Sequence, residues 1–246
     1  MKILLVNDDG YNAPGIEALE KVFRKKGHEV WLAAPYSQMS GKSHAMTIQS
    51  SLEIKRLEGE FRYAFTGTPV DCILYSKRYE NSLFPSDPDL VISGINNGYN
   101  IATDILYSGT CGAAREAVLC GFKAIAVSSE GYSYEKAAEY VSDNLDTLYS
   151  LCPNDGFLNL NFPQNFNGKA VVTIPGEVRY EDVVRLEKEE NDTLTVRIDS
   201  VKRVVLPSEE LTDVKATDNG YLSISCISIQ QRTNEDVEKR MKEIFQ

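Results

Sequence analysis

The apolar positions of this chain fall into short runs separated by stretches with helical spacing. Ile3 to Val6 is a run of four apolar residues, and residues 2–7 read as a buried strand. Residues 15–26 follow with Ile16, Leu19, Val22 and Phe23 on one helical face, and Gly27 stands where a helix C-terminus favours left-handed backbone. "HEVWLAAP" (28–35), "DLVISGIN" (89–96) and "KAIAVSS" (123–129) predict further strands. "TCGAAREAVLCG" (110–121) predicts a helix of small residues, and residues 133–151 one helix that buries Tyr134, Ala138, Val141, Leu145 and Leu148. Thr68-Pro69-Val70-Asp71 has the order of a helix start: cap residue, proline at the first position, acid in the first turn. This alternation predicts an α/β fold, a three-layer, Rossmann-like, mostly parallel sheet with helices on both faces.

Two stretches break the alternation. Residues 51–65 and 178–206 each read as a hairpin added antiparallel to the main sheet. The second turns at Asn191 and Asp192 and mixes charged with apolar positions, so it predicts an arm leaving the body, of the kind that packs on another subunit. A tail helix is expected at about 234–245. No repeat or Pro/Gly/Ser-rich linker divides the chain, and 1–246 reads as one domain.

Composition narrows the function classes. With 42% apolar and 25% charged residues and no apolar run near the ~20 residues of a membrane span, the chain reads as a globular protein that stays off membranes. The run Ile3 to Val6 is also too short for a secretory signal, and a cytoplasmic protein is expected. Its five cysteines are odd in number and widely spaced, and read as buried reduced thiols. The formal charge of −10 argues against a nucleic-acid polymer as partner, so an anionic substrate would need local positive charge.

In an open parallel sheet, ligands bind beyond the C-terminal strand ends. The first strand ends in Asn7-Asp8-Asp9-Gly10. Two carboxylates about 4 Å apart repel by roughly 4 kcal/mol at an effective dielectric near 20, so they need a proton or a cation between them unless one caps a turn and the other faces water. Gly10 permits the turn that lets neighbouring acids converge. The loop after the second strand contains Ser40, Lys42, Ser43 and His44, which offer hydroxyls, a cation and an imidazole. It is no P-loop, because the first glycine position of that motif is Tyr36.

After "DLVIS", residues 94–110 read as an irregular glycine- and amide-rich loop leading to a helix. Asn96 and Asn97 either fix its backbone or ligate something. Ser108, Gly109 and Thr110 stand at the helix entrance, where they either cap the helix or present free amides to a phosphate. Two acids, a serine and a carboxamide are hard oxygen donors suited to Mg²⁺, Mn²⁺ or Ca²⁺. Zinc is disfavoured with only His28 and His44 in the chain, and His28, at the start of a strand, reads as structural.

The blocks "ILLVNDDGYNAPGI", "SGKSHAMT", "FTGTPVDC", "DLVISGINNGYN", "TDILYSGTCGAAREA", "AIAVSS", "LNLNFP" and "TDVKATDNGYLSIS" follow one another from residue 3 to about 225. In that order they resemble the SurE survival-protein phosphatases, metal-dependent 5′/3′-nucleotidases. The resemblance implies removal of phosphate from nucleoside 5′- and 3′-monophosphates, and activity on short polyphosphate in some members. It also implies one divalent ion per subunit, Mg²⁺ or Mn²⁺, held by Asp8, Asp9, Ser40 and Asn96. Asp8 and Asp9 are the expected catalytic residues, with Asp8 either positioning the attacking water or acting as nucleophile. Lys42, Ser43, His44, Asn97, Ser108, Gly109 and Thr110 are the expected substrate contacts, with His44 a candidate proton donor to the leaving oxygen. A homodimer, or a tetramer through swapped C-terminal elements, is implied as well. The arm departs from the family, having "RLEKEENDTLTVRIDSVK" where many members are aromatic and glycine-rich.

The alternative is a phospho-receiver-like, Mg-binding signalling module, whose first strand also ends in adjacent acids. Such a module needs an acceptor aspartate after its third strand, and residues 51–65 contain none. A haloacid-type phosphatase requires Asp-x-Asp, where this chain has Asp-Asp-Gly.

Overall fold

The computed structural model describes residues 1–230 and 235–245. The chain begins with β1 (Lys2–Val6), α1 (Pro14–Lys25), β2 (Glu29–Pro35), β3 (Ile54–Arg56) and β4 (Arg62–Phe65). It continues through α2 (Pro69–Arg78), β5 (Leu90–Asn97), a short 3-10 helix (Ala102–Leu106), α3 (Gly109–Leu119) and β6 (Lys123–Glu130). Next are α4 (Tyr134–Asp143), α5 (Leu145–Leu151), β7 (Gly156–Pro163) and β8 (Ala170–Val172). The last elements are β9 (Val178–Glu190), β10 (Thr193–Val205), α6 (Asp213–Asp218), β11 (Leu222–Ser228) and α7 (Glu235–Phe245).

Nine strands form one sheet in the order β3-β4-β2-β1-β5-β6-β7-β11-β8. The six from β4 to β7 are parallel, while β3 and β11 run antiparallel to their neighbours β4 and β7. Strand side chains alternate between two apolar layers. Ile3, Leu5, Val30, Leu32, Leu90 and Ile92 meet α1, α4 and α5 on one face. Leu4, Val6, Trp31, Val91, Ala124 and Ala126 meet α2 and α3 on the other. The run of alanines in α3 lets that helix lie close to the sheet, with Ala113, Ala114 and Ala117 fully buried.

The three-layer architecture agrees with the expectation, and several details differ. Residues 51–65 are only half an antiparallel addition: β4 pairs parallel with β2 and leads into the capped α2, so it is a βα unit with β3 appended outside. The expected helix 133–151 is broken at Asn144, whose side-chain amide donates to Tyr140 O at 2.8 Å and closes α4 before α5 begins. The arm 178–206 is a separate two-stranded sheet, not part of the main one, and Asn191 at its turn has positive φ. Not all five free thiols are buried, since Cys226 is exposed and Cys120 half-buried. Of the tail expected at 234–245, residue 234 lies outside the described residues and Glu235–Phe245 is helical.

Among the described residues, no helix is long and apolar enough to cross a membrane.

Candidate active site

The connection through α1 carries the chain from β1 to β2 on one side, while β5 joins β1 on the other, so the sheet's switch point lies between β1 and β5. The chain turns sharply just beyond β1. Asn7, fully buried, donates from Nδ2 to Gly10 O at 2.8 Å and accepts from Gly10 N at 3.2 Å, and Gly10 adopts φ +113°. This turn presents Asp8 and Asp9 at the crevice. Asp8 is 4% exposed and Asp9 half-buried.

The two carboxylates have different supports. Asp8 Oδ1 accepts the Thr110 hydroxyl at 2.5 Å, and α3 begins so close by that a Cβ added to Gly109 would lie 3.0 Å from Asp8 Oδ2. Asp9 Oδ2 accepts from Asn97 N at 3.1 Å, which ties it to the end of β5. Desolvation raises the pKa of Asp8 most; the Thr110 hydrogen bond works against this, and the charge of Asp9 adds to it. Desolvation also raises Asp9, against the hydrogen bond from Asn97. The field of Asp9 reaches Tyr134 at the start of α4, whose hydroxyl is pushed up chiefly by burial and then by Asp9 and Glu130.

Asn96, the last residue of the strand expected at 89–96, and Asn97 after it both belong to β5. After an irregularity at residues 93–96 they pair with Ser128 and Ser129 of β6. Asn96 Nδ2 donates to Gly98 O at 2.9 Å, which aims one end of the carboxamide inward and leaves Oδ1 as the end available to a ligand. Beyond them the segment expected to be irregular contains the 3-10 helix at Ala102–Leu106.

The 36–47 loop is clasped on three sides. Met39 N donates to Asp8 O at 2.7 Å, so Ser40 follows directly, and its hydroxyl accepts from Gln38 Nε2 at 3.1 Å. Ser43 donates from N to Tyr107 O at 2.9 Å and from Oγ to Leu106 O at 2.6 Å. His44 Nε2 pairs with Glu116 Oε2 of α3 at 2.8 Å. Thr68 Oγ1 donates to Ala45 O, and Asp71 accepts both N and Oγ1 of Thr47 at 2.7 Å. "FTGTPVDC" is thus both a helix start and the anchor of this loop. Lys42 is exposed.

Ser43, His44, Ser108 and Thr110, expected to face substrate, therefore have protein partners. Ser108 Oγ caps α3 by accepting from Cys111 N at 3.0 Å, and Thr110 Oγ1 serves Asp8. Asp71, expected in the sequence reading as the first-turn acid of α2, also holds the loop through Thr47. Glu116 and a buried amide cluster had no assigned role in that reading. In that cluster, Asn100 N donates to Asn161 Oδ1 and Asn100 Nδ2 to Ser128 Oγ, both at 2.8 Å, while Asn159 and Asn161 both donate to Asn100 O. The visible signal was two asparagines two positions apart in the otherwise apolar "FLNLNFP", which places them on one face of β7.

The donor set fits a hard cation. Burial raises both carboxyls, the charge of Asp9 adds to this at Asp8, and among the described residues neither acid has a cationic partner, while Asn96 Oδ1 and Ser40 Oγ offer neutral oxygens at the end of β5 and on the 36–47 loop. Among the described residues no three His, Cys, Asp or Glu side chains gather as a metal cluster, so a cation here would draw on those neutral oxygens.

Fold and site together define a doubly wound α/β protein whose oxygen-donor site stands at the switch point of a parallel sheet. Residues 3–182 match the family model described as "Survival protein SurE". The chain belongs to the SurE family. It is 34% identical over 244 residues to 5′-nucleotidase SurE of Parvibaculum lavamentivorans, covering 92% of this chain and 84% of that one. It is 39% identical over 237 residues to 5′-nucleotidase SurE of Desulfitobacterium hafniense, covering 92% and 90%. The crystal structure of the SurE protein from Aquifex aeolicus superposes with a TM-score of 0.81 at 32% identity, over 100% of both chains.

Proposed function

We propose that the chain is a divalent-metal-dependent nucleotidase that releases phosphate from nucleoside 5′- and 3′-monophosphates, with short polyphosphate as a further substrate. The observation that carries this reading is the convergence of Asp8 and Asp9 with the end of β5 at the switch point, joined by the Thr110 and Asn97 hydrogen bonds. Asp8, Asp9, Ser40 and Asn96 would hold the ion, Mg²⁺ or Mn²⁺. When bound, it supplies charge to polarise a phosphoryl oxygen and lower the pKa of water.

The chain's own groups do the rest. Thr110 donates to Asp8 Oδ1, so Asp8 keeps a fixed orientation and its charged form is favoured against desolvation. With Oδ1 so held, Oδ2 is the oxygen free to orient a water or attack phosphorus. Asn97 fixes Asp9 through its backbone and leaves its own side chain exposed for substrate. The first turn of α3 directs its dipole at Asp8 and the phosphate that would lie beside it. Lys42, exposed on the clasped loop, is the mobile cation for a phosphate oxygen. Ser43 and His44 shape the loop that carries it.

The exposed apolar side chains of the arm, Val184, Leu186, Leu194, Val196 and Ile198, support the reading of a homodimer or larger assembly. Thr103 Oγ1 donates to Val178 O at 2.7 Å and Tyr180 OH to Asp104 at 2.8 Å, so the arm's root is tied to the 3-10 segment beside the site. Free thiols throughout suit a reducing compartment such as the cytoplasm.

Phosphate release from a panel of 5′- and 3′-monophosphates, beside a gel assay on single-stranded RNA and DNA, tests the reading. Activity on monoesters should vanish in excess chelator and return with Mg²⁺ or Mn²⁺. Internal cleavage of polymer at comparable rates, or full activity in chelator, overturns it. Stoichiometric labelling by acetyl phosphate without turnover would favour the signalling module instead.

A further inference from the structure

A cavity of about 580 Å³ opens at the end of the sheet opposite the acidic pair. Its rim includes Ser86, whose hydroxyl accepts from Lys2 Nζ at 2.9 Å, and Lys2 begins the strand that ends before Asp8. Six residues of extended chain, roughly 20 Å, separate that rim from the proposed active site.

The lining combines aromatic walls with a cationic group that the fold does not pair. Phe84 and Tyr63 meet edge to face at 5.6 Å, and the Tyr63 hydroxyl is fixed on Leu83 O. The Arg56 guanidinium stands 5.9 Å from the Tyr63 ring centroid, and among the described residues it has no carboxylate within ion-pair distance. Lys77 lies 5.0 Å over the Phe122 ring, but its charge is matched by Asp87 at 2.7 Å.

Volume, aromatic walls and an unpaired guanidinium are the features of a small-molecule site, which typically spans about 300–1,000 Å³ with a few placed polar groups. We propose that this cavity is a second ligand site that takes a planar aromatic anion of mononucleotide size. Arg56 meets the anionic group and the aromatic walls pack the ring. Such a site leaves the catalytic crevice free and does not depend on the activity proposed above.

Trp31 makes the test specific. It is the chain's only tryptophan, is fully buried, and stacks on Phe84 at 5.1 Å with the rings 6° apart. A ligand in the cavity would touch the ring against which Trp31 rests, so its emission reports this end of the sheet. The experiment titrates AMP into the full chain in excess chelator and follows Trp31 emission. Adenosine and inorganic phosphate are titrated in parallel, and wild type, Asp9→Asn and Arg56→Gln are compared, each checked for an intact melting transition.

The expected result is a saturable change with AMP that persists in Asp9→Asn. It should weaken by at least about tenfold in Arg56→Gln, the loss expected for one charge-assisted hydrogen bond. No saturable change up to millimolar AMP overturns the proposal, as does an unchanged affinity in Arg56→Gln. Loss of the signal in Asp9→Asn would assign the binding to the acidic crevice and overturn it too. Adenosine matching AMP would remove the anion from the recognition, and phosphate alone matching it would remove the ring; either refutes the site as stated.

Discussion

The Thr110 hydroxyl donates to Asp8 Oδ1 at 2.5 Å, joining the start of α3 to the end of β1 across 102 residues of chain. Both residues are buried, so this bond sets the direction of the carboxylate that the proposed chemistry requires. Thr110→Val keeps shape and removes the donor. Loss of a partner behind a ligand typically costs about 10–100-fold in metal affinity or activity. Stability should fall by about 1–3 kcal/mol, because Asp8 Oδ1 is left buried without its bond. Thr110→Ser should restore most of both. Phosphate release against metal concentration, with thermal melts of each variant, checks the expectation; full activity in Thr110→Val would remove this bond from the mechanism.

The acidic pair predicts a stability that depends on pH and metal in opposite senses for wild type and Asp9→Asn. Burial raises the pKa of both carboxyls, so the folded chain holds these protons more tightly than the unfolded chain does. Their contribution is therefore fully present below the ordinary carboxylate range and is lost as pH rises through the raised folded values. In chelator, Asp9→Asn should melt above wild type at pH 7, and the gap should close toward pH 4. Each 1 kcal/mol appears as about 2–4 °C in a chain of this length. In excess Mg²⁺ the order should reverse, since a ligand at 100 times its dissociation constant adds about 2.7 kcal/mol to the form that binds it. A mutant that melts lower in chelator at pH 7 would make the pair structural.

The clasp between His44 and Glu116 predicts a loop anchor. His44 Nε2 is committed to a carboxylate that is itself almost fully buried, on the flank of α3. His44→Gln can still donate to Glu116, whereas His44→Ala cannot. An anchor therefore predicts that Gln retains most of the turnover while Ala raises the metal concentration for half-maximal rate. A proton donor predicts that both variants lose turnover and the alkaline limb of the pH–rate profile, because a general acid acts only in its protonated form. Parallel pH profiles of the three proteins decide between them.

The parts of this molecule legible in the sequence are those whose signal is local. Val30, Leu32 and Ala34 alternate with Trp31 and Ala33 between the two faces of one strand, and Thr68-Pro69-Val70-Asp71 specifies its own helix start. The break at Asn144 was hidden because Val141, Leu145 and Leu148 keep helical spacing across it, while the event that ends α4 is one side-chain hydrogen bond. Pairing direction was hidden for a related reason. β4 is read correctly as a strand, but only its neighbour β2, 27 residues or more away in sequence, makes it parallel. In the site, Asp8, Asp9 and Asn96 stand out because polar residues at strand ends break apolar runs. Glu116 and Asn161 do not, since each works through a partner remote in the chain, 72 residues for His44 and 61 for Asn100.

Gly112 offers the sharpest test of how the loop is held. A Cβ on this residue would lie 2.3 Å from the carbonyl oxygen of Ser43, which is backbone and cannot rotate away. The helix itself would accept alanine, which has the higher helix propensity, so local preference predicts a small gain. The close approach predicts the opposite: Gly112→Ala must push residues 42–44 off α3, straining the Ser43 bonds to Leu106 and Tyr107 and the His44 bond to Glu116. Ser40 lies three residues upstream on the same loop. Its displacement should raise the metal concentration for half-maximal phosphate release by about tenfold, the scale of a lost supporting contact. Ser40→Ala provides the comparison, because it removes the hydroxyl without moving the loop. If Ser40 ligates, the two variants should shift the metal titration in the same direction, and only Gly112→Ala should also lower the melting temperature. An unchanged titration in both would take Ser40 out of the coordination sphere and leave the clasp a purely structural device.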